Sequence, residues 1–414
     1  MQPITRFIAA SGLTNLADGV AVVAWVWAAS LLTRDALWVA VVPVALRLPW
    51  VLFALPAGVV TDRVDRRQLV IAMDILRGLA FALASGAIWW AGDLPVAGAG
   101  VSVPWLYGLI VGAALLVGVA EVFRDTAAQT MLPALVPDAG LEQANGRLWS
   151  VELVANALVG PALGAFLIGV SLGLPFVLNA AAYGVAVLVM LGVGGQFKPV
   201  QSERRAWWVE VAEGVAFLRG VPLLRVMAVT TGFWNLFHQM IAIALVLHAQ
   251  ENLGLSAFAY GLVLAGGAVG GVLGSLMGPW VAARLGRART MQWMLAASAP
   301  AFVWMAVAGD AVSLAISFVA FELTGMIWNI VSVSMRQRLI PDALRGRVNS
   351  LYRLLAWGMM PVGLVVSGVI VRLAEGPLAR ETALAVPFWA AAAGMGLLAV
   401  LAWRPIGRGF AGLK

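Results

Sequence analysis

The chain has 414 residues, 62% of them hydrophobic and 11% charged, with a formal charge of +7 and no cysteine; its mean hydropathy is +0.93. Soluble domains carry about 25% charged and about 45–50% apolar residues, so no water-soluble fold of this length buries such an apolar excess, and a bilayer has to solvate it. Disulfides, thiol nucleophiles and cysteine metal sites are excluded outright.

A helix needs roughly 20 apolar residues to cross the hydrocarbon core. Hydropathy predicts twelve spans, near 6–32, 36–60, 68–92, 104–124, 145–171, 175–197, 222–248, 256–283, 290–309, 311–335, 349–374 and 383–404. The first apolar stretch runs on to Leu32 and reads as a span, not as a cleavable signal peptide. A short break, Leu172 to Pro175, divides spans five and six, because Gly and Pro punctuate helices.

Lys and Arg are retained on the cytoplasmic side. With the N-terminus inside, twenty-one of the 27 basic residues fall in or beside cytoplasmic segments, among them Arg63, Arg66, Arg67, Arg124, Arg284, Arg287, Arg336 and Arg345. Only Arg34, Arg372 and Arg380 fall outside, and Arg47, Arg77 and Arg353 lie within spans. Both termini are therefore expected in the cytoplasm of a bacterium whose inner membrane holds the chain. The positive charge then reflects topology, and no nucleic-acid partner is expected.

The chain repeats itself. Ser11, Gly12, Asn15, Leu16 and Asp18 match Thr231, Gly232, Asn235, Leu236 and His238 at an offset of 220. The loop Gly58–Arg67 has a counterpart in Gly278–Arg289, and Leu135 to Ala139 with Asn145 matches Leu339 to Ala343 with Asn349 at an offset of 204. Three matches in one order predict two related six-helix halves, 1–197 and 222–414. The segment 198–221 between them, with Trp207 and Trp208 beside Glu203, Arg204 and Arg205, is expected to be an amphipathic linker on the cytoplasmic membrane surface.

Gly58, Asp62, Arg63, Asp65, Arg66 and Arg67 resemble the signature G-x-x-x-D-R-x-G-R-R/K between helices two and three of the major facilitator superfamily. Asp65 stands where the second Gly is usual. That variant, with Arg47 and Pro49 in span two, Asp74 and Arg77 in span three and Leu132 to Pro137 after span four, is similar to a branch containing the enterobactin exporter and macrolide efflux proteins. The resemblance implies an all-α integral membrane fold of two pseudo-symmetric six-helix bundles with a midplane site. It also implies a cytoplasmic latch built from Gly58, Asp62, Arg63, Asp65, Arg66, Arg67 and Arg124. Topology anchoring is the alternative reading of the same charges.

Ionisable groups within spans are costly, about 2.5–3.5 kcal/mol each on insertion scales, and mark function by default. Asp18 and its repeat counterpart His238 lie on spans one and seven, which face each other across the cavity in the resembling fold. Glu121 and Glu322, on spans four and ten, fall one turn apart after repeat alignment. Glu152 and Arg353 are a candidate ion pair between the halves. These six are the candidates for proton coupling, since buried carboxylate and imidazole groups suit proton exchange. Asn15, Trp25, Trp149, Asn156, Trp234, Asn235 and Trp328 are candidates for lining a substrate path, with Asn145 on the same stripe as Trp149. Asp74 and Arg77, one turn apart, are expected to pair structurally, and for Glu121 a local ion-pair cluster with Arg124 and Asp125 is as good a reading as a transport role.

An enzyme is not expected. His238 and His248 are the two histidines, and neither H-E-x-x-H nor G-x-x-x-x-G-K-[ST] occurs, so no metal site, ATP site or other cofactor is indicated. The expected function is a secondary active transporter, specifically a proton-coupled exporter of a small amphiphilic or hydrophobic molecule by alternating access. It would work as a monomer, with substrate, H+ and membrane lipid as its partners. A lipid or lysolipid flippase, or an uncoupled or sodium-coupled facilitator, are the alternatives.

Overall fold

The computed structural model describes residues 2–61, 63–95, 97–98, 100–137, 141–198, 207–341 and 344–412. Among them are fifteen α-helices, two π-helical segments and no strand. In chain order the helices are α1 (Pro3–Leu32), α2 (Ala36–Thr61), α3 (Arg66–Ala91), α4 (Pro104–Leu135), α5 (Leu141–Glu152), α6 (Gly160–Val170), α7 (Leu174–Leu191) and α8 (Trp207–Gly220). There follow α9 (Pro222–Leu247), α10 (Ala257–Leu285), α11 (Arg287–Val307), α12 (Ala311–Leu339), α13 (Arg345–Trp357), α14 (Met359–Ala374) and α15 (Arg380–Ala411). The fold is the all-helical membrane fold expected.

Eleven stretches of described helix are long and apolar enough to cross a bilayer. Helix α11, 21 residues long, has the length to cross as well, but Gln292, Ser298 and Pro300 interrupt its apolar run. Both polar side chains are satisfied within the bundle. Gln292 Nε2 donates to the Trp403 carbonyl at 2.6 Å, and the Ser298 and Thr324 hydroxyls meet at 3.0 Å. Several helices overrun their expected ends: α4 continues to Leu135 and α15 to Ala411. Those extra turns carry Asp125 and Arg408, charges that an apolar window clips but a helix tolerates.

The chain divides into two compact units, Met1–Gln201 with Leu255–Ala265, and Ser202–Gly254 with Gly266–Lys414. Equivalent pairings recur in each. In the first, α1 packs on α5, α6 and α7, and α3 on α4 and α7; in the second, α9 packs on α13, α14 and α15, and α11 on α12 and α15.

Each unit contains a broken helix beside its first span. Between α5 and α6, residues Leu153–Val159 are π-helical, and the Gly160 N–H reaches back five residues to the Ala155 carbonyl. Pro161 supplies the cause: it has no N–H to donate, and its ring collides with the carbonyl four residues earlier. Across this bulge α1 approaches at backbone distance. A methyl added to Gly19 would sit 2.4 Å from the Asn156 carbonyl oxygen and 2.9 Å from the Gly160 Cα. In the second unit the break falls at Gly358, between α13 and α14 and three residues before Pro361. There a methyl on Gly363 would lie 2.2 Å from the Leu236 carbonyl oxygen of α9. Small residues permit this contact, which replaces hydrophobic driving force with packing inside lipid.

Candidate functional site

Each unit holds ionisable groups inside its spans. In the second, His238 of α9 meets Glu322 of α12, with Nε2 3.2 Å from Oε1. The pair lies in an aromatic nest. Trp234, one turn before His238, stacks on Phe321 with centroids 4.9 Å apart and planes 4° from parallel. The His238 ring lies 5.2 Å from Trp234 and 5.1 Å from Phe321. Phe302 closes on the far side of Phe321 at 4.6 Å. The two side chains nevertheless keep 28% and 25% exposure, so the pair is not sealed within its unit while one flank is apolar.

In the first unit, Arg77 of α3 is fully buried and bonds to the Asp18 carboxylate of α1. Tyr183 of α7 donates its hydroxyl to the same carboxylate oxygen at 2.6 Å, while its ring lies 4.4 Å from the Arg77 guanidinium carbon. One turn earlier on α3, Asp74 is 0% exposed and faces Arg124 of α4 at 3.4 Å. Arg124 also donates to Asp125 at 3.1 Å and to the Thr14 hydroxyl at 2.9 Å. Glu121, one turn before Arg124 and half-buried, lies within the fields of Asp18, Arg47 and Arg77. The expected Asp74–Arg77 pairing inside one helix is thus replaced. Each side chain turns to a different neighbouring helix, because a partner across a helix interface satisfies two spans at once. Arg124 likewise reaches Asp74 and Thr14 in addition to Asp125.

Other candidates take structural places. Asn235 donates to the Ala356 carbonyl at 2.9 Å, next to the break after α13. Trp25 is 1% exposed and packs on Phe81 and Phe176, with centroids 5.2 and 4.9 Å away; it belongs to the interior of its bundle. Asn15 bonds within its own helix to the Ser11 carbonyl at 2.9 Å. Trp328 is 4% exposed and donates to the Thr231 hydroxyl at 3.3 Å. Asn156 is half-buried in the π-helical segment, Glu152 is exposed just before it, and the Arg353 guanidinium lies over Trp357 at 5.4 Å. The side chains of Asn145 and Trp149 lie outside those described.

The loop after α2 also resolves into specific bonds. Asp65 is the N-cap of α3, accepting the Gln68 N–H at 3.1 Å, which explains an acid where the resembling signature has Gly. Arg66 donates to the Thr130 carbonyl of α4 at 3.2 Å and Arg67 to the Met190 carbonyl at 3.0 Å. Arg6 and Arg67 together hold the Gly192 and Leu191 carbonyls, placing two cations at the negative end of α7. Arg63 is exposed, and Gly58 has open space where a Cβ would go. Asp62 lies outside the described residues.

A family model described as Major Facilitator Superfamily matches residues 8–358. The chain belongs to that superfamily. It is 26% identical over 422 residues to the multidrug efflux pump Tap of Mycolicibacterium fortuitum, covering 97% of this chain and 95% of that one. To the multidrug efflux pump Tap of Mycobacterium tuberculosis it is 27% identical over 400 residues, covering 93% and 90%. Among solved structures, a point mutant of the nucleoside transporter NupG superposes with a TM-score of 0.78 at 13% identity, covering 98% of this chain and 100% of that one. A bacterial homologue of the iron transporter ferroportin gives 0.73 at 17% identity, covering 98% of each. This major facilitator is thus a transporter and not an enzyme, and a multi-pass bacterial membrane protein.

Sequence reasoning missed several residues that the facilitator fold brings to these sites. Tyr183, Thr14 and Ser298 are polar side chains without a periodic pattern of their own in mostly apolar helices. Tyr352 is a further one: its hydroxyl meets Thr231 at 2.8 Å and Ser332 at 3.0 Å, and its ring lies 4.0 Å from the Arg336 guanidinium carbon. The usable signal was their rarity, since the chain has only 4 Tyr.

Proposed function

We propose that this facilitator is a proton-coupled exporter of small amphiphilic or hydrophobic molecules. The His238–Glu322 pair carries the reading. A pair of this kind is neutral with its proton on either partner, and its net charge changes by one when that proton leaves. In a span such a change is expensive unless a conformational change or a bound charge compensates it, which is the requirement for coupling. Trp234, half-buried beside the pair, offers an apolar ring against which a hydrophobic guest gains burial, and the buried Phe318 and Phe321 back it. The likeness to proteins named multidrug efflux pumps along nearly the whole chain supports export of such guests.

Alternating access by the halves 1–197 and 222–414, joined through 198–221, follows from this reading. So do cytoplasmic termini, which the 21-to-3 bias of basic residues supports. Asp18 with Arg77 is the second candidate for proton exchange, and Gly58, Asp62, Arg63, Asp65, Arg66, Arg67 and Arg124 keep the reading of a cytoplasmic latch. Purified protein in liposomes with an imposed pH gradient tests the coupling. Efflux of fluorescent amphiphilic dyes should follow the gradient, and internal pH should change as substrate moves. Glu322→Gln should retain dye binding and lose the gradient dependence. Wild-type flux that ignores the gradient refutes coupling, and gradient-driven flux at the full rate in Glu322→Gln removes that residue from it.

A further inference from the structure

The first unit contains a line of buried polar atoms that the sites above leave unexplained. Asn179 of α7 is 0% exposed, and neither its Oδ1 nor its Nδ2 meets a hydrogen-bond partner among the described residues. The same holds for the indole Nε1 of Trp25 and for Nε and Nη1 of Arg77. Buried amides without partners are rare in proteins, and their usual explanation is ordered water making two to four hydrogen bonds.

Placement along the helices turns these atoms into a series. Asp18, Arg77 and Tyr183 form one level, on α1, α3 and α7. Asn179 lies one turn along α7 from Tyr183. Next comes an aromatic level, where the Trp25, Phe81 and Phe176 rings pack against one another, with centroids 5.2, 4.9 and 6.1 Å apart. Trp25 is seven residues past Asp18, about 10 Å along α1. Beyond it, Ser85, 3% exposed, donates to the Gly173 carbonyl at 3.1 Å. The series ends at a cavity of about 620 Å³ lined by Leu31, Arg34, Trp89, Asp93, Ser171 and Leu172, among others. Leu31 is thirteen residues past Asp18, about 20 Å along the helix. At every level a polar atom stands within an otherwise apolar bundle.

We infer that Asn179, with Trp25 and Arg77, holds a chain of buried water inside the first unit that connects the Asp18–Arg77–Tyr183 cluster to the cavity at Arg34 and Asp93. The ligand of this site is water and, on the coupling reading proposed above, a proton passed along it. A proton entering at the cavity moves from water to water and is received by the Asp18 carboxylate, whose bond to Arg77 weakens as its charge is lost. The charged and titratable groups facing this line are Asp18 from α1, Asp74 and Arg77 from α3, Glu121 and Arg124 from α4, and Tyr183 from α7.

Hydroxyl-radical footprinting of the full chain by an X-ray pulse tests the water directly, because radicals form from water next to the side chain they oxidise. Trp25 and Tyr183 should be oxidised several-fold more than Phe302, which is equally buried at 0%. Asn179→Leu, close in volume and without polar atoms, should bring both down to the Phe302 level, while Asn179→Ser should keep most of the labelling. In liposomes, proton flux driven by a pH gradient should fall several-fold in Asn179→Leu, with dye binding by thermal shift unchanged. Trp25 and Tyr183 labelled no more than Phe302 in the wild type, or labelled equally in Asn179→Leu, would overturn the inference. If the label is present but wild-type flux ignores the gradient, the hydrated site stands and only its role in proton access falls.

Discussion

Replacing Asp18 by Asn isolates the energetics of the buried cluster. Arg77 is 0% exposed, and its ionic contact is the Asp18 carboxylate, with the Tyr183 ring beneath the guanidinium. Its Nε and Nη1 have no hydrogen-bond partner among the described residues, and Glu121 and Asp74 act on it through their fields, more weakly than Asp18. Asp74 on the adjoining turn is engaged with Arg124. Leaving one charge of a buried pair uncompensated costs about 3–5 kcal/mol; the 26% exposure of the Asp18 side chain lets water relieve part of this, which brings the expectation to about 2–3 kcal/mol. Unfolding in mixed micelles by SDS titration, followed by Trp fluorescence, reads the loss. The double variant Asp18→Asn, Arg77→Met should recover more than half of it, because removing both charges removes the desolvation penalty with them. An Asp18→Asn variant within about 0.5 kcal/mol of wild type refutes the reasoning. So does a double variant that loses the sum of the two single losses.

Asp65→Ala should destabilise by about 1 kcal/mol in the same assay through loss of the cap on α3, whereas Asp65→Gly should cost only a few tenths of a kcal/mol. Gly19→Ala should destabilise by about 1–3 kcal/mol, since the added methyl meets the backbone of Asn156 and Gly160, and backbone cannot rotate away; its control, Gly58→Ala, enters open space and should be neutral or slightly stabilising. Asn235→Leu should cost about 1 kcal/mol by removing the amide donor that bonds the Ala356 carbonyl, and gradient-driven dye transport per folded molecule should stay near the wild-type rate.

Composition, the spacing of apolar runs, the bias of Lys and Arg and the internal repeat were enough to predict a membrane protein of two related halves. Those are properties of one-dimensional order: a bilayer selects by length and polarity, and duplication leaves its trace in the residues themselves. Asp18, His238, Glu121 and Glu322 stood out for the same reason, since a charge in a span is visible without any neighbour. Which group each charge meets was not legible. Asp74 and Arg77 are one turn apart and free to pair, yet their partners come from α4 and α1. Glu322 has no base near it on its own helix, Arg336 being fourteen residues on, and finds one 84 positions earlier, on α9. Tyr183, Asn179 and Thr14 carry no local pattern at all. A buried charge takes the partner that helix packing brings within hydrogen-bond reach. That packing depends on where Gly19 and Gly363 let backbones touch and where Pro161 and Pro361 break a helix, so only the tertiary structure decides it.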